Sequence, residues 1–278
     1  EIDKITSGWQ RSDLIIIAAR PGMGKTAFVL SMARNIAVDH KTPVAVFSLE
    51  MNSLQLITRL ISSETGLASD KLRSGKMEPY EWEQLHSKIK KIESAELFID
   101  DTPGLSIFDL RAKCRRLVSQ HGVKIIIIDY LQLMQGSSKG GVREQEISSI
   151  SRSLKSIAKE LNIPIICLSQ LNRGVELRTD KRPILSDLRE SGAIEQDADI
   201  VNFIYRPEYY NIDMWDTEPQ TSCLGQAEFI IAKHRNGSLG RRRLKFNASL
   251  AKFGNLEKDI YQSQYNSKMN MEENEDQF

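Results

Sequence analysis

Apolar residues in this chain follow two rhythms. Short unbroken runs lie at 14–19, 43–49, 97–100, 125–129, 164–170 and 200–206. The run 125–129 holds four consecutive Ile before an Asp, a pattern that suits a strand buried on both faces, as a parallel sheet requires. Between these runs the spacing changes to that of helices. Phe28, Met32 and Ile36 share one face beyond Lys25, and a helix capped by Asn52 or Ser53 is predicted to reach about Thr65. Residues 69–95 predict one short and one longer helix meeting at Glu78-Pro79, the longer with an apolar stripe that includes Trp82, Leu85 and Ile89. Further helices are predicted from Ser106 to about Gln120, with Arg111, Lys113, Arg115 and Arg116 facing outward, and over 143–162. Residues 172–198 are polar and predict loops with short helices, and 207–226 an irregular excursion. Residues 227–233 and 241–246 alternate and turn at Asn236-Gly237, which predicts a hairpin. Strands alternating with helices make this an α/β fold with a mainly parallel sheet flanked by helices, the hairpin extending one edge.

The domain is expected over 1–255, because the apolar signal fades from about Gly254. Residues 256–278 are expected to be a disordered acidic tail, and the Gly- and Ser-rich loop after Met134 to be mobile. Composition excludes more than it identifies. The 278 residues are 40% hydrophobic and 27% charged with a net charge of +1, so any nucleic-acid contact must come from a local patch. The three cysteines, Cys114, Cys167 and Cys223, lack metal-ligand spacing and read as buried or incidental thiols of a reducing compartment. No apolar run approaches the roughly 20 residues of a membrane span, and no secretory signal opens the chain. A chain opening on Glu rather than Met is expected to be part of a longer one.

Candidate chemistry gathers where the apolar runs end. The first leads into Ala19-Arg20-Pro21-Gly22-Met23-Gly24-Lys25-Thr26-Ala27 and then a helix. Strand, Gly-rich turn and Gly-Lys-Thr describe a P-loop, with Ala19 where the usual first Gly stands. Backbone N–H groups of such a turn bind phosphate oxygens, the Lys reaches the β- and γ-phosphates, and the Thr hydroxyl ligates Mg²⁺. The other runs finish at Glu50, Asp129 and Gln170. Ligands of open parallel sheets bind at the carboxyl ends of the strands, so the convergence points to one site. Asp129 has the form of a Walker B aspartate that orients Mg²⁺ or its water, against the plainer role of starting a turn. Glu50 is a candidate to position and deprotonate the attacking water, or simply a solvated residue before a helix. Gln170 is a candidate γ-phosphate contact, or a surface loop residue.

Six ordered runs then carry a resemblance. They are 19–26, Ser48-Leu49-Glu50-Met51, 128–134, 168–173, the run 187–199 (Asp-Leu-Arg-Glu-Ser-Gly-Ala-Ile-Glu-Gln-Asp-Ala-Asp) and Lys233-His234-Arg235-Asn236-Gly237. Together they resemble the C-terminal motor domain of bacterial replicative helicases of the DnaB family. The resemblance implies a RecA-like P-loop ATPase that forms a homo-hexameric ring and moves 5′ to 3′ on single-stranded DNA. It implies ATP and Mg²⁺ as cofactors, primase and a helicase loader as partners, no membrane association and a bacterial cytoplasmic, nucleoid-associated location. By the same resemblance Lys25, Glu50, Gln170 and Arg235 are catalytic. Arg20 through Ala27 with Arg59, Lys233 and Arg235 contact nucleotide, and Thr26 and Asp129 serve the metal. Arg59 would stack on adenine, and Lys233 and Arg235 would reach into a neighbour's site. Arg189, Glu190 and Gly192 would hold DNA, with Lys139 and Arg143 as further channel contacts. A RecA-like recombinase and a nucleotide-gated module without turnover are the alternatives. The motif at 187–192 and the Lys-His-Arg-Asn-Gly run favour the helicase over the first. The pairing of Glu50 with Arg235 speaks against the second.

Overall fold

The expected alternation of elements is present in the computed structural model, which describes residues 1–134, 143–217 and 220–256, without the side chains of 143 and 189–193. A short helix α1 (Asp3–Thr6) precedes β1 (Leu14–Ala19) and α2 (Lys25–Arg34), which continues as a π-helical turn, Asn35–Asp39. Next come β2 (Val44–Ser48), α3 (Ser53–Thr65), α4 (Ser69–Ser74), α5 (Pro79–Glu93) and β3 (Leu97–Asp100). Then follow α6 (Ile107–His121), β4 (Ile125–Asp129), α7 (Arg143–Leu161) and β5 (Ile165–Gln170). Two 3₁₀ segments, Arg173–Leu177 and Leu185–Ser191, lead to α8 (Gly192–Asp197). The chain finishes with β6 (Ile200–Tyr205), β7 (Gln226–His234), β8 (Gly240–Asn247) and β9 (Lys252–Asn255).

The strands form one sheet in the order β3-β2-β4-β5-β1-β6-β7-β8-β9. It is parallel from β3 to β6 and antiparallel from β6 to β9. Every residue of β1, β2, β4 and β6 is buried. Their unbroken Ile and Val runs are therefore covered on both faces, the condition for a parallel sheet. One face lies under α6 and α7, with Leu110, Cys114, Ile150 and Leu154 in the core. The other lies under α2, where Phe28 stacks on Phe229 at 4.9 Å and meets Phe253 edge-on at 5.5 Å. Local signals stop the helices as the sequence suggests. Asn52 and Gln55 form a capping box at α3, and Gly66 ends that helix in the left-handed region.

Two elements differ from expectation. The apolar stripe expected on α5 is only partly buried: Leu85 and Ile89 are half-buried and Ile92 packs against Leu30, Leu56 and Leu60, while Trp82 is exposed. Polar contacts hold this helix as well. Gln84 Nε2 and Lys88 Nζ donate to the Thr65 carbonyl at the end of α3, and Glu81 pairs with Lys71 at 2.6 Å. The burial that the 3.6-residue period implies is incomplete, because α5 is an outer helix. The second difference is β9, where Phe253 is buried although the apolar signal around it is weak. Its partners are Phe246 across the β8–β9 turn and Phe28 on α2, which is remote in sequence. The loop 136–141 with Lys139, and the tail beyond 256, lie outside the described residues.

Candidate nucleotide-binding site

Strand register brings the candidate residues together. Ala19 pairs with Gln170 across β1 and β5, and Ser48 pairs with Asp129 across β2 and β4. Neighbouring strands lie about 4.8 Å apart, so the P-loop, Gln170, Asp129 and Glu50 line one edge of the sheet. Beyond the register, the Leu49 N–H donates to the Asp129 carbonyl at 2.6 Å, which fixes the base of Glu50 beside Asp129.

The loop itself depends on two glycines. Gly22 and Gly24 have φ of +77° and +93°, a region costly for L side chains. A Cβ on Gly22 would stand 2.8 Å from the Tyr209 ring, and one on Gly24 would stand 3.1 Å from Phe253. Gly24 precedes α2 without a side-chain cap. The first N–H groups of α2 therefore remain available to phosphate, with the helix dipole adding to the attraction. Met23 and Ala27 are buried beneath the loop, while Pro21 and Gly22 form its exposed tip. Arg206 braces the tip from outside, donating from Nη1 to the Gly22 carbonyl at 3.1 Å with its guanidinium 4.0 Å from the Phe246 ring centre.

Lys25 lies across the loop and donates to the carbonyls of Ala19 and Arg20 at 3.0 and 3.3 Å. Burial lowers its pKa to about 8, while Asp129 and Glu50 pull it back upward and Arg20 lowers it further. Burial in turn raises Asp129 above the usual carboxylate range. The Thr26 hydroxyl donates to Asp129 Oδ2 at 2.7 Å, and Asp129 Oδ1 is buried without a partner. A hydroxyl, a carboxylate and an unpaired carboxylate oxygen beside an N–H cradle suit Mg²⁺, which takes few protein oxygens and completes its shell with phosphate and water. Among the described residues no group of three or more His, Cys, Asp or Glu could hold a metal by itself.

Glu50 is exposed beyond β2 and contributes to the field at both Lys25 and Asp129, so it faces the same concavity. Arg59 on α3 also lowers the pKa of Asp129, so its charge acts on the same carboxylate. Gln170 is exposed at the end of β5. A residue that sequence reasoning passed over holds it there. Gln132 donates to Ser169 Oγ at 2.9 Å and to the Gln170 carbonyl at 3.3 Å, and accepts the Gln170 N–H at 3.4 Å. It stands three residues beyond Asp129 in the run that carried the resemblance, but only the fold shows what it touches.

Other expected side chains lie away from the cradle of their own chain. The Arg20 side chain is directed away from the loop to Glu176 and the Leu171 carbonyl, while its backbone remains part of the P-loop. Lys233 and Arg235 lie at the opposite end of the sheet, since His234 pairs with Ile200 and Ile200 pairs with Ile15. Lys233 donates to the carbonyls of Glu195 and Ala198 at the end of α8. Arg235 donates to the Gln196 carbonyl and stands 3.4 Å from Asp199. Arg189 and Glu190 belong to the 3₁₀ segment before α8, and Gly192 begins α8. Their side-chain contacts, and those of Arg143, lie outside the described residues.

The comparisons with known proteins agree with this geometry. Residues 1–255 match the family model of the DnaB-like helicase C-terminal domain. The chain is 50% identical over 265 residues to the replicative DNA helicase DnaB of Geobacillus stearothermophilus, covering 95% of this chain and 57% of that protein. It is 49% identical over 259 residues to the replicative DNA helicase DnaC of Bacillus subtilis, covering 93% of this chain and 56% of that protein. The chain thus spans about half the length of the curated relatives it matches. One solved structure, an ATPase domain, superposes with a TM-score of 0.84 at 40% identity, over 92% of this chain and 89% of that one. A DnaB-like replicative helicase, solved to show its interactions with primase, gives the same TM-score and identity over 60% of its own chain. A match to the family model along 255 residues, on a fold with this P-loop edge, shows that the chain belongs to the DnaB-like helicase C-terminal domain family.

Proposed function

We propose that this chain is the ATP-hydrolysing motor of a replicative DNA helicase, which moves 5′ to 3′ along single-stranded DNA and opens duplex at the replication fork. In this reading the P-loop N–H groups and Lys25 hold the β- and γ-phosphates, and Glu50 draws the proton from the attacking water. Gln170 contacts the γ-phosphate. Thr26 and Asp129 hold Mg²⁺, which neutralises charge developing on the transferring phosphoryl group. Arg59 packs against the adenine, as in the family.

The supporting observation is the position of Lys233 and Arg235. They sit at the amino end of β6 while the phosphate cradle sits at the carboxyl end of β1. A six-residue strand such as β1 spans about 20 Å, so neither cation reaches the cradle of its own chain. They can complete a site only on another copy. That arrangement fits a closed ring of head-to-tail contacts, six copies in this family. Arg189, Glu190 and Gly192 would then line the channel and hold DNA phosphates without reading bases. Primase and a helicase loader are the protein partners, and the work is on cytoplasmic, nucleoid-associated DNA. Among the described residues no helix is long and apolar enough to cross a membrane.

The test is phosphate release with and without a poly-dT oligonucleotide. ATP hydrolysis stimulated by the oligonucleotide, and lost in Lys25→Ala, is the expected result. Undiminished turnover in that variant would sink the site assignment.

A further inference from the structure

Arg20 leaves the P-loop between Ala19 and Pro21, yet its side chain is only 8% exposed and points toward the chain that follows β5. Its Nε donates to Glu176 Oε1 at 2.7 Å and its Nη1 to the Leu171 carbonyl at 2.8 Å. The backbone closes the same joint, with the Leu171 N–H donating to the Ala19 carbonyl at 3.2 Å. The entry of the phosphate cradle and the turn after Gln170 are therefore one braced unit.

The bracing continues. The Asn172 N–H donates to the Asp187 carbonyl at 3.0 Å. The Asp187 carboxylate accepts from both Arg178 nitrogens at 2.6 and 2.9 Å and from the Ile184 N–H at 2.8 Å. Lys181 donates to the Glu176 carbonyl at 2.7 Å. Asp187 stands two residues before Arg189, so a chain of paired groups runs from the phosphate cradle to the segment read as the DNA contact. A cleft lined by Arg20, Gln132, Gln170, Asn172 and Asp187 lies along it.

The two partners of the ion pair differ in setting. Arg20 is buried, whereas the Glu176 side chain is 36% exposed. A carboxylate that can return to water separates cheaply, but a buried guanidinium must find another acceptor. Arg20 adjoins the cradle closely enough to act on Lys25. Lys25 donates to the carbonyls of Ala19 and Arg20 at 3.0 and 3.3 Å, and the Ala19 carbonyl also accepts the Leu171 N–H, so phosphate that draws Lys25 into the cradle changes what holds this joint.

We propose that the Arg20–Glu176 ion pair is a positioning latch, held between the P-loop and the segment 171–189, that makes the grip on DNA depend on the phosphate bound in the cradle. The proposal rests on the helicase reading above. It assigns Arg20 and Glu176 no contact with reacting atoms, and its signature is a coupling between two binding events, which must be reciprocal.

The test is the dissociation constant of a fluorescent dT oligonucleotide for the complete chain, with and without Mg²⁺ and ATPγS. Wild-type protein should show a nucleotide-dependent ratio of about 5-fold or more, the lower range of measured couplings. Glu176→Gln should bring that ratio to within about 2-fold of unity with ATPγS affinity unchanged in the absence of DNA, and Glu176→Asp, which keeps the charge, should retain it. A role in folding alone would weaken DNA binding equally in both nucleotide states, and Leu177→Ala, a change at the exposed neighbour, should leave the ratio as in the wild type. An undiminished ratio in Glu176→Gln, or an equal loss in Leu177→Ala, overturns the latch. A wild-type ratio of one overturns the reading of a nucleotide-gated DNA motor itself, and the latch with it.

Discussion

At the scale of single residues, the site rests on charges placed where water solvates them poorly. Lys25 is the clearest case. Burial lowers its pKa to about 8, against the opposing pull of Asp129 and Glu50. The unfolded chain holds that proton up to the ordinary lysine value, so between about 8 and 10.5 the unfolded state binds more protons and stability from this group rises with pH. Phosphate binding runs the other way, because the cradle needs the ammonium. Nucleotide affinity should therefore fall as pH climbs from 7 through about 8 to 9, which a fluorescent-nucleotide titration measures. A flat profile across that range would show that the ammonium is not the titrating group. Asp129 stands at the opposite charge, raised by burial and steadied by Thr26.

Among the elements, α2 and α5 show how differently two helices are held. α2 follows the P-loop and is fixed by Phe28, which stacks on Phe229 and meets Phe253 edge-on. α5 carries an aromatic residue of similar size that touches little: Trp82 is 42% exposed, with His86 beside it at 6.2 Å. Phe28→Ala should cost about 3–5 kcal/mol in denaturant unfolding, as large core deletions do. Trp82→Ala should stay within about 1 kcal/mol, since surface changes away from special features are small. Equal losses in the two variants would mean that α5 packs more closely than its exposure indicates. Both helices are legible as helices in the sequence. Which face each one buries depends on the sheet and on the end of α3, and neither lies within the helical repeat.

On the scale of the molecule, the sheet separates the two groups of residues that the proposed function joins between copies. Cradle, Glu50, Asp129 and Gln170 occupy the carboxyl edge; Lys233 and Arg235 occupy the amino edge, held by carbonyls at the end of α8 and by Asp199. An assembly in which each copy supplies both halves makes a specific demand on mixtures. Arg235→Ala subunits and Glu50→Ala subunits, each inactive alone, should regain part of the ATPase activity when mixed, because some interfaces then combine two intact halves. An arginine acting across an interface is worth about 10³–10⁵ in rate, so even a modest fraction of repaired interfaces is measurable. Absence of any recovery in mixed assemblies would argue that Arg235 does not act on a neighbour. The experiment needs a form of the protein that assembles.

The sequence by itself determined the strands β1 to β8, the P-loop and the family. Each is written in residues close together, namely unbroken Ile runs, Gly22 and Gly24 where positive φ is needed, and motifs of four to thirteen residues. It named Asp129, Glu50 and Gln170 as candidates because in a parallel sheet the strand ends must gather at one edge. Tertiary structure decided what those residues touch. Arg20 reads as a nucleotide contact beside the glycines, yet its partner Glu176 lies 156 positions away. Gln132 gives no signal until β5 lies alongside β4, and Phe253 gives none until β9 meets α2. Lys-His-Arg-Asn-Gly reads locally as a hairpin with solvated charges, and only the antiparallel pairing of β7 with β6 carries it to the end of the sheet far from its own cradle. Local order follows from steric and burial preferences within a few residues. Partnership across the sheet is set by register and chain direction, which short stretches of sequence do not contain.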